Sequence, residues 1–227
     1  MKSTVRFTRG RVALLLIDLQ EEQRSDPLYA TADIESVLAN SRRLLLAART
    51  NKVPVFHAAY RRDYAVAPLR PFEPRSGEGE PLFSRKDSPL TDICGEVAPE
   101  SGEAVIYKND ASAFSEGSLQ QRLAALQIEW LAVAGVWTEA CVAASVRDAM
   151  AAGLRVLLVK DACGSGSAAI HQTGILNLAN RLYGGGVADV ARAEALFGGA
   201  EVTIWTTDRP VPILYNLQNA AQQYENL

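Results

Sequence analysis

Histidine is nearly missing from this chain of 227 residues: there are two, His57 and His171, far apart in the sequence. A metal centre built on paired imidazoles is therefore nearly excluded, because such sites draw His, Cys and carboxylate ligands from close spacings. We expect no metal and no cofactor. Cysteine is almost as scarce. Cys94, Cys141 and Cys163 form an odd set with no close pair, which fits a reducing, cytoplasmic setting better than a disulfide framework. An excess of positive charge is absent too, since the formal net charge is -3. That leaves no basic footprint for nucleic acid. No apolar run is long enough to span a bilayer. The N-terminal run in "MKSTVRFTRGRVALLLIDLQ" ends at Asp18 without a small-residue cleavage site, so no signal peptide is read.

What is present is ample apolar content, 48% of the residues. Six short apolar runs stand out, at 12–17, 53–58, 104–107, 130–134, 156–159 and 202–205. They are continuous rather than alternating, as in strands buried on both faces. Helical stripes lie between most of them. Ile34, Val37, Leu38, Ser41, Leu44, Leu45 and Ala48 form one. Leu119, Leu123 and Leu126 form another, behind a capping box of Ser118 and Gln121. Val142, Val146, Ala149 and Met150 form a third. Alternating strands and helices predict a parallel sheet with helices on both faces, a three-layer α/β/α architecture. Residues 60–103 break the rhythm with "PLRPFEPRSGEGEPLFSRKDSPL", a Pro/Gly/charge-rich excursion of the length usually reserved for function. With no repeat and no linker, residues 1–227 read as a single domain.

In open α/β sheets, sites form beyond the carboxyl ends of the strands. Asp18 follows the first run, Lys108 the third, and Cys141 stands just past the fourth, in "LAVAGVWTEACVAASVRDAM". With Thr138 as N-cap, Cys141 becomes the third residue of a helix, where unpaired N–H groups and the dipole favour a thiolate nucleophile. Each residue has a plainer reading: Cys141 as a small buried apolar residue, Asp18 as a cap, Lys108 as a surface lysine. "CGSGSAAIHQTG" lacks the ending of a phosphate-binding loop and reads as a loop into a helix, and "YGGGVADV" as a helix C-cap. Cys94 and Cys163 read as structural, His57 as a core residue and His171 as a helix residue near a pocket rim. Phe114 packs either at the site or in the core. Arg61, Arg62, Arg70 and Arg75 are either solvated or set to meet an acidic substrate.

Together "ALLLIDLQ", "IYKNDASAF" and "LAVAGVWTEACVAASVRDAMAAGLRVLLVKDA" resemble the isochorismatase-like cysteine hydrolases over roughly residues 10–205. The resemblance implies a six-stranded, mainly parallel sheet in the order 3-2-1-4-5-6, with the first and fourth strands adjacent. It implies Asp18, Lys108 and Cys141 as the catalytic residues, a cis peptide between Val136 and Trp137, and an oxyanion hole made by the N–H groups of Trp137 and Cys141. It also implies a homodimer or homotetramer acting on a small molecule. Lys108 would leave from two strands away, roughly 10 Å laterally at ~4.8 Å per strand, so its side chain and the "NDASAF" loop must close that gap.

Relatives that bind a metal place an Asp and two His after the second strand, whereas "VFHAAYRRDY" offers one His. A cysteine at position 141 argues for carbonyl chemistry through a thioester. The expected activity is therefore cysteine-dependent hydrolysis of a C–N bond in a small amide or ureido/carbamoyl compound. A vinyl-ether hydrolase, or an idle binding protein on the same fold, are the alternatives.

Overall fold

The computed structural model describes residues 1–227. Its centre is one sheet of eight strands: β1 (Lys2–Val5), β2 (Val12–Ile17), β3 (Val55–Tyr60), β4 (Ala104–Lys108), β5 (Trp130–Val136), β6 (Arg155–Gly164), β7 (Gly186–Ala188) and β8 (Val202–Trp205). Seven helices accompany them: α1 (Glu22–Ser25), α2 (Ile34–Thr50), α3 (Ser118–Ala125), α4 (Ala143–Ala151), α5 (Ala168–Ala179), α6 (Val190–Phe197) and α7 (Ala220–Glu225). Read from one edge, the order is β4-β3-β2-β5-β6-β7-β8-β1. Neighbours from β4 to β7 run parallel, and β8 is antiparallel to both β7 and β1.

The six runs thus lie in the order 3-2-1-4-5-6, with two additions. β7 enters between the fifth and sixth, and β1 pairs along the outer edge of β8. Both escape a search for apolar runs. β1, "KSTV", alternates exposed and half-buried residues as an edge strand does. β7 has three residues and follows "GG", so its sequence resembles a helix end; Gly186 is required because a Cβ there would lie 2.6 Å from the Trp205 carbonyl oxygen.

β2 shows why the strands read as continuous apolar runs. All six residues are buried. Ala13, Leu15 and Ile17 join the core under α3, α4 and α5, while Val12, Leu14 and Leu16 join the core under α2 and α6. The α2 stripe falls where its spacing requires, with Val37, Leu38, Ser41, Leu44, Leu45 and Ala48 buried. The capping box at α3 does not form. Ser118 is already inside the helix, and Gly117 at φ +72° precedes it without a side-chain cap.

Residues 61–93 are built differently. No apolar side chain among them is buried. Polar links hold the segment instead: Arg62 to Glu73 at 2.7 Å, Lys86 to Asp63 at 2.6 Å and Arg85 to Glu80 at 2.9 Å. Two short 3₁₀ turns, Pro89–Thr91 and Gly95–Val97, lead back towards β4.

β2 and β5 meet most closely at Gly135, which lies at φ +125°. A Cβ there would stand 2.1 Å from the Ile17 carbonyl oxygen and 2.6 Å from its nitrogen. Gly135→Ala must therefore pry the two central strands apart, and we expect a loss of about 3–5 kcal/mol in urea unfolding. Gly102→Ala, also at positive φ but facing open space, should cost about 1–2 kcal/mol. Equal losses in the two variants would show that the close approach costs nothing.

Candidate active site

The carboxyl ends of β2, β4 and β5 bring one carboxylate, one ammonium and one thiol together. Asp18 leaves β2 at φ +52°, a left-handed conformation that Asp tolerates better than most residues. Its N–H still donates to the Ala58 carbonyl of β3 at 2.9 Å. The side chain is 3% exposed, and its Oδ2 lies 2.9 Å from Lys108 Nζ. Oδ1 is buried without a hydrogen-bond partner.

Lys108 ends β4 and is 0% exposed, so it is no surface lysine. Its side chain crosses the lateral gap by itself. Beyond Asp18, Nζ donates to the Asp110 carbonyl at 3.2 Å and to Cys141 Sγ at 3.5 Å, and it stands 4.3 Å from the centre of the Tyr60 ring. The "NDASAF" loop serves as a wall: Ala113 N–H donates to Ser145 Oγ at 2.9 Å, and Ser145 donates in turn to the Cys141 carbonyl at 2.7 Å. The loop and the start of α4 are therefore one unit. Phe114 is buried with the core on that side of the sheet.

Cys141 sits in a π-helical turn, Thr138–Val142, between β5 and α4. This differs from a simple helix start. Thr138 does not cap: its hydroxyl donates to the Gly164 carbonyl at 2.9 Å. On balance the thiol pKa is not lowered at this helix start. Burial and then Asp18 push Cys141 up to about 12 against the pull of Lys108. Cys94 and Cys163 are also pushed up to about 12 by burial. Acidity does not single out Cys141; access and neighbours do. It alone of the three is partly exposed, and it touches Lys108.

Burial also raises the Asp18 carboxyl, despite Lys108. For Lys108, burial works against the ammonium, but Asp18 and Cys141 outweigh it and the pKa rises. Asp18 and Lys108 thus form a buried pair at 2.9 Å beside the thiol. The peptide between Val136 and Trp137, at the mouth of the turn, is cis.

Three supporting residues escape sequence reading. Gln20 is fully buried and clamps the strand ends, taking the Tyr60 N–H at 2.8 Å and donating to Tyr60 O at 3.1 Å and Thr91 O at 2.7 Å. Gln23 accepts the Trp137 indole N–H at 2.6 Å. Glu22, 4% exposed, takes the Ser84 N–H and hydroxyl at 2.6 and 2.9 Å, fastening the excursion beside Asp18. The only signal for Gln20 was its place two residues after Asp18 in "IDLQ".

The remaining candidates lie elsewhere. His57 is buried in β3 against Glu103 at 3.0 Å, and His171 packs behind the turn. Arg62 is buried on Glu73 and the carbonyls of Ala67 and Pro68. Arg61 donates to Lys86 O and Arg75 to Gly79 O within the excursion, whereas Arg70 pairs with Asp110 in the loop after β4.

Residues 12–192 match the isochorismatase domain family. Maleamate amidohydrolase of Pseudomonas putida is 30% identical over 183 residues, covering 76% of this chain and 80% of its own. N-carbamoylsarcosine amidase of an Arthrobacter species is also 30% identical, covering 76% of this chain and 66% of its own. A solved cysteine hydrolase from Pseudomonas syringae superposes with a TM-score of 0.71 over 86% of this chain and 97% of its own. At 18% identity that likeness is one of fold.

Removing the ammonium strands a buried carboxylate. Lys108→Met should destabilise the protein by about 3–5 kcal/mol near pH 7, measured by urea unfolding. Asp18→Asn in the same chain should restore most of the loss. In Lys108→Met the Asp18 pKa is raised further on folding, so the folded state binds the extra proton and stability must increase as pH falls. A penalty that does not vary with pH would contradict the buried pair.

Proposed function

The chain belongs to the isochorismatase family of hydrolases, and on that premise we propose that it is a cysteine-dependent amidohydrolase. It cleaves a non-peptide C–N bond in a small amide or ureido/carbamoyl compound. The observation that carries this reading is the double contact of Lys108 Nζ, 2.9 Å from Asp18 Oδ2 and 3.5 Å from Cys141 Sγ. Moving the thiol proton to Asp18 shifts a negative charge from carboxylate to sulfur. The ammonium touches both positions, so the transfer leaves the net charge of the buried site unchanged. A raised carboxyl is a better proton acceptor, and a thiol held at about 12 ionises usefully only when such a base takes its proton.

The thiolate then attacks the carbonyl carbon. A C–S bond forms and the carbonyl electrons move to oxygen, where the N–H groups of Trp137 and Cys141 receive them; such donors are often worth about 3 kcal/mol. Collapse of the adduct breaks the C–N bond, and Asp18 returns the proton to the departing amine, which is ammonia for a primary amide. Water attacks the thioester next, losing a proton to Asp18, and Cys141 recovers its proton as the acid leaves. The relatives named for maleamate and N-carbamoylsarcosine support an amide or carbamoyl substrate. We read the enzyme as a single domain of 227 residues in the cytoplasm. The exposed Leu214 and Leu217, at 80% and 91%, support assembly into a homodimer or homotetramer; light scattering that returns the 24.5 kDa mass of one chain at micromolar concentration would refute it.

An ammonia-release screen across small amides and ureides, run on the wild type and Cys141→Ala, tests the activity. On the substrate it finds, Cys141→Ser and Asp18→Asn should each lower turnover by about three orders of magnitude or more. The double variant should be scarcely worse, because the two residues act as one unit. Activity should fall on the acid side as Asp18 takes up a proton, at a pH above its ordinary value of 3.8. Wild-type turnover in Cys141→Ala would end the thioester route and favour vinyl-ether hydrolysis, which needs no nucleophile.

A further inference from the structure

The turn that carries Cys141 is held from behind by the last helix of the chain. Thr138, which opens the turn, is 0% exposed. Its hydroxyl oxygen lies 2.9 Å from the Gly164 carbonyl and 2.8 Å from His171 Nδ1 of α5. His171 Nε2 lies 3.1 Å from the Tyr224 hydroxyl of α7. The directions of these bonds follow from the atoms. A carbonyl only accepts, so the Thr138 O–H is committed to Gly164. The Thr138 oxygen must then accept from His171 Nδ1–H, which leaves Nε2 as an acceptor for the Tyr224 O–H. One tautomer of neutral imidazole satisfies every contact, and burial holds the His171 pKa down to about 4.

The far end of this chain is anchored too. Lys160 Nζ donates to the Tyr224 carbonyl at 2.9 Å and stands 4.5 Å from the centre of its ring. The near end has no slack. Gly174, three residues along α5 from His171, would place a Cβ only 2.9 Å from Thr138 Cγ2. α7 lies beyond residues 12–192, the span that matches the family domain.

We propose that Tyr224 and His171 are positioning residues: through Thr138 they fix where the Trp137 and Cys141 N–H groups stand towards a developing oxyanion. The inference rests on Cys141 as the nucleophile. It makes the C-terminal helix a working part of a hydrolytic site on the other side of the turn.

Two probes separate this role from general support. 4-Nitrophenyl acetate acylates a nucleophilic thiol through an oxyanion, with loss of 4-nitrophenolate. Iodoacetamide alkylates the same thiol at a saturated carbon, with loss of iodide and no oxyanion. His171→Leu should slow acylation of Cys141 about tenfold or more, a fraction of what loss of an oxyanion donor costs, while alkylation stays within about twofold. Tyr224→Phe keeps the ring packing and should slow acylation less. His171→Asn retains a donor near the place of Nδ1 and loses the link to α7, so it should match Tyr224→Phe. Wild-type acylation in a folded His171→Leu overturns the inference. So does a parallel fall in acylation and alkylation, which would mark a general loosening. Should His171→Leu fail to fold, the isosteric Tyr224→Phe decides: acylation at the wild-type rate refutes the role. A wild-type protein that takes no acetyl group on Cys141 removes the nucleophile assignment, and this inference with it.

Discussion

Burying an ammonium and a carboxylate together costs several kcal/mol per ion unless their geometry and remaining hydrogen bonds are nearly complete. Lys108 and Asp18 meet that demand at 0% and 3% side-chain exposure, and much of the surrounding architecture serves it. Asp18 adopts a left-handed backbone at the end of β2 while its N–H stays tied to β3. Gly135 lets β5 approach β2 with no side chain between them. Gln20 ties the end of β2 to Tyr60 and Thr91, which holds the next strand in register beside the pair. The carbonyl of Asp110 and the face of Tyr60 complete the surroundings of the ammonium. Cys141 is then the one neighbour of the pair whose own charge can change during a reaction.

The sequence disclosed the parts of this arrangement that follow from local pattern. Continuous apolar runs gave five of the central strands their identity, because burial on both faces leaves no polar alternation. Asp18, Lys108 and Cys141 stood out because they follow strands. Their meeting did not follow from pattern. Lys108 read alone is an ordinary lysine, and only the strand order and the reach of its side chain make it a central one. The helix-terminus argument for Cys141 failed for a related reason. A helix terminus acts locally, whereas burial and the Asp18 charge come from tertiary packing and outweigh it. Thr138 was assigned to capping on its residue type; in the fold its hydroxyl is committed to Gly164 and His171. β7 was missed because three residues, the first of them the last of a glycine triplet, carry too little apolar content to register as a strand.

A division of labour in the polar groups also emerges. Residues that would be expected to greet a charged ligand, the arginines of the excursion, have partners within the fold: Arg62 on Glu73, Arg61 on Lys86 O and Arg70 on Asp110. The groups beside the thiol are mostly uncharged or paired: Gln23 on the Trp137 indole, Glu22 on Ser84 and Asp18 on Lys108. The charged groups beside the thiol are thus each met by a partner in the fold.

The absence of buried apolar side chains from residues 61–93 has an evolutionary consequence. Sequence drift in that segment reaches the packing of the sheet and its helices at few points, chiefly Ile93 on the core and Phe83 on Tyr60. What it must retain is a few polar fastenings, such as Glu22 to Ser84. A segment so loosely indebted to the fold can be rewritten by insertion, deletion or exchange while the sheet stays the same. Such a lineage would therefore vary faster in this segment than in the strands and helices that it overlies.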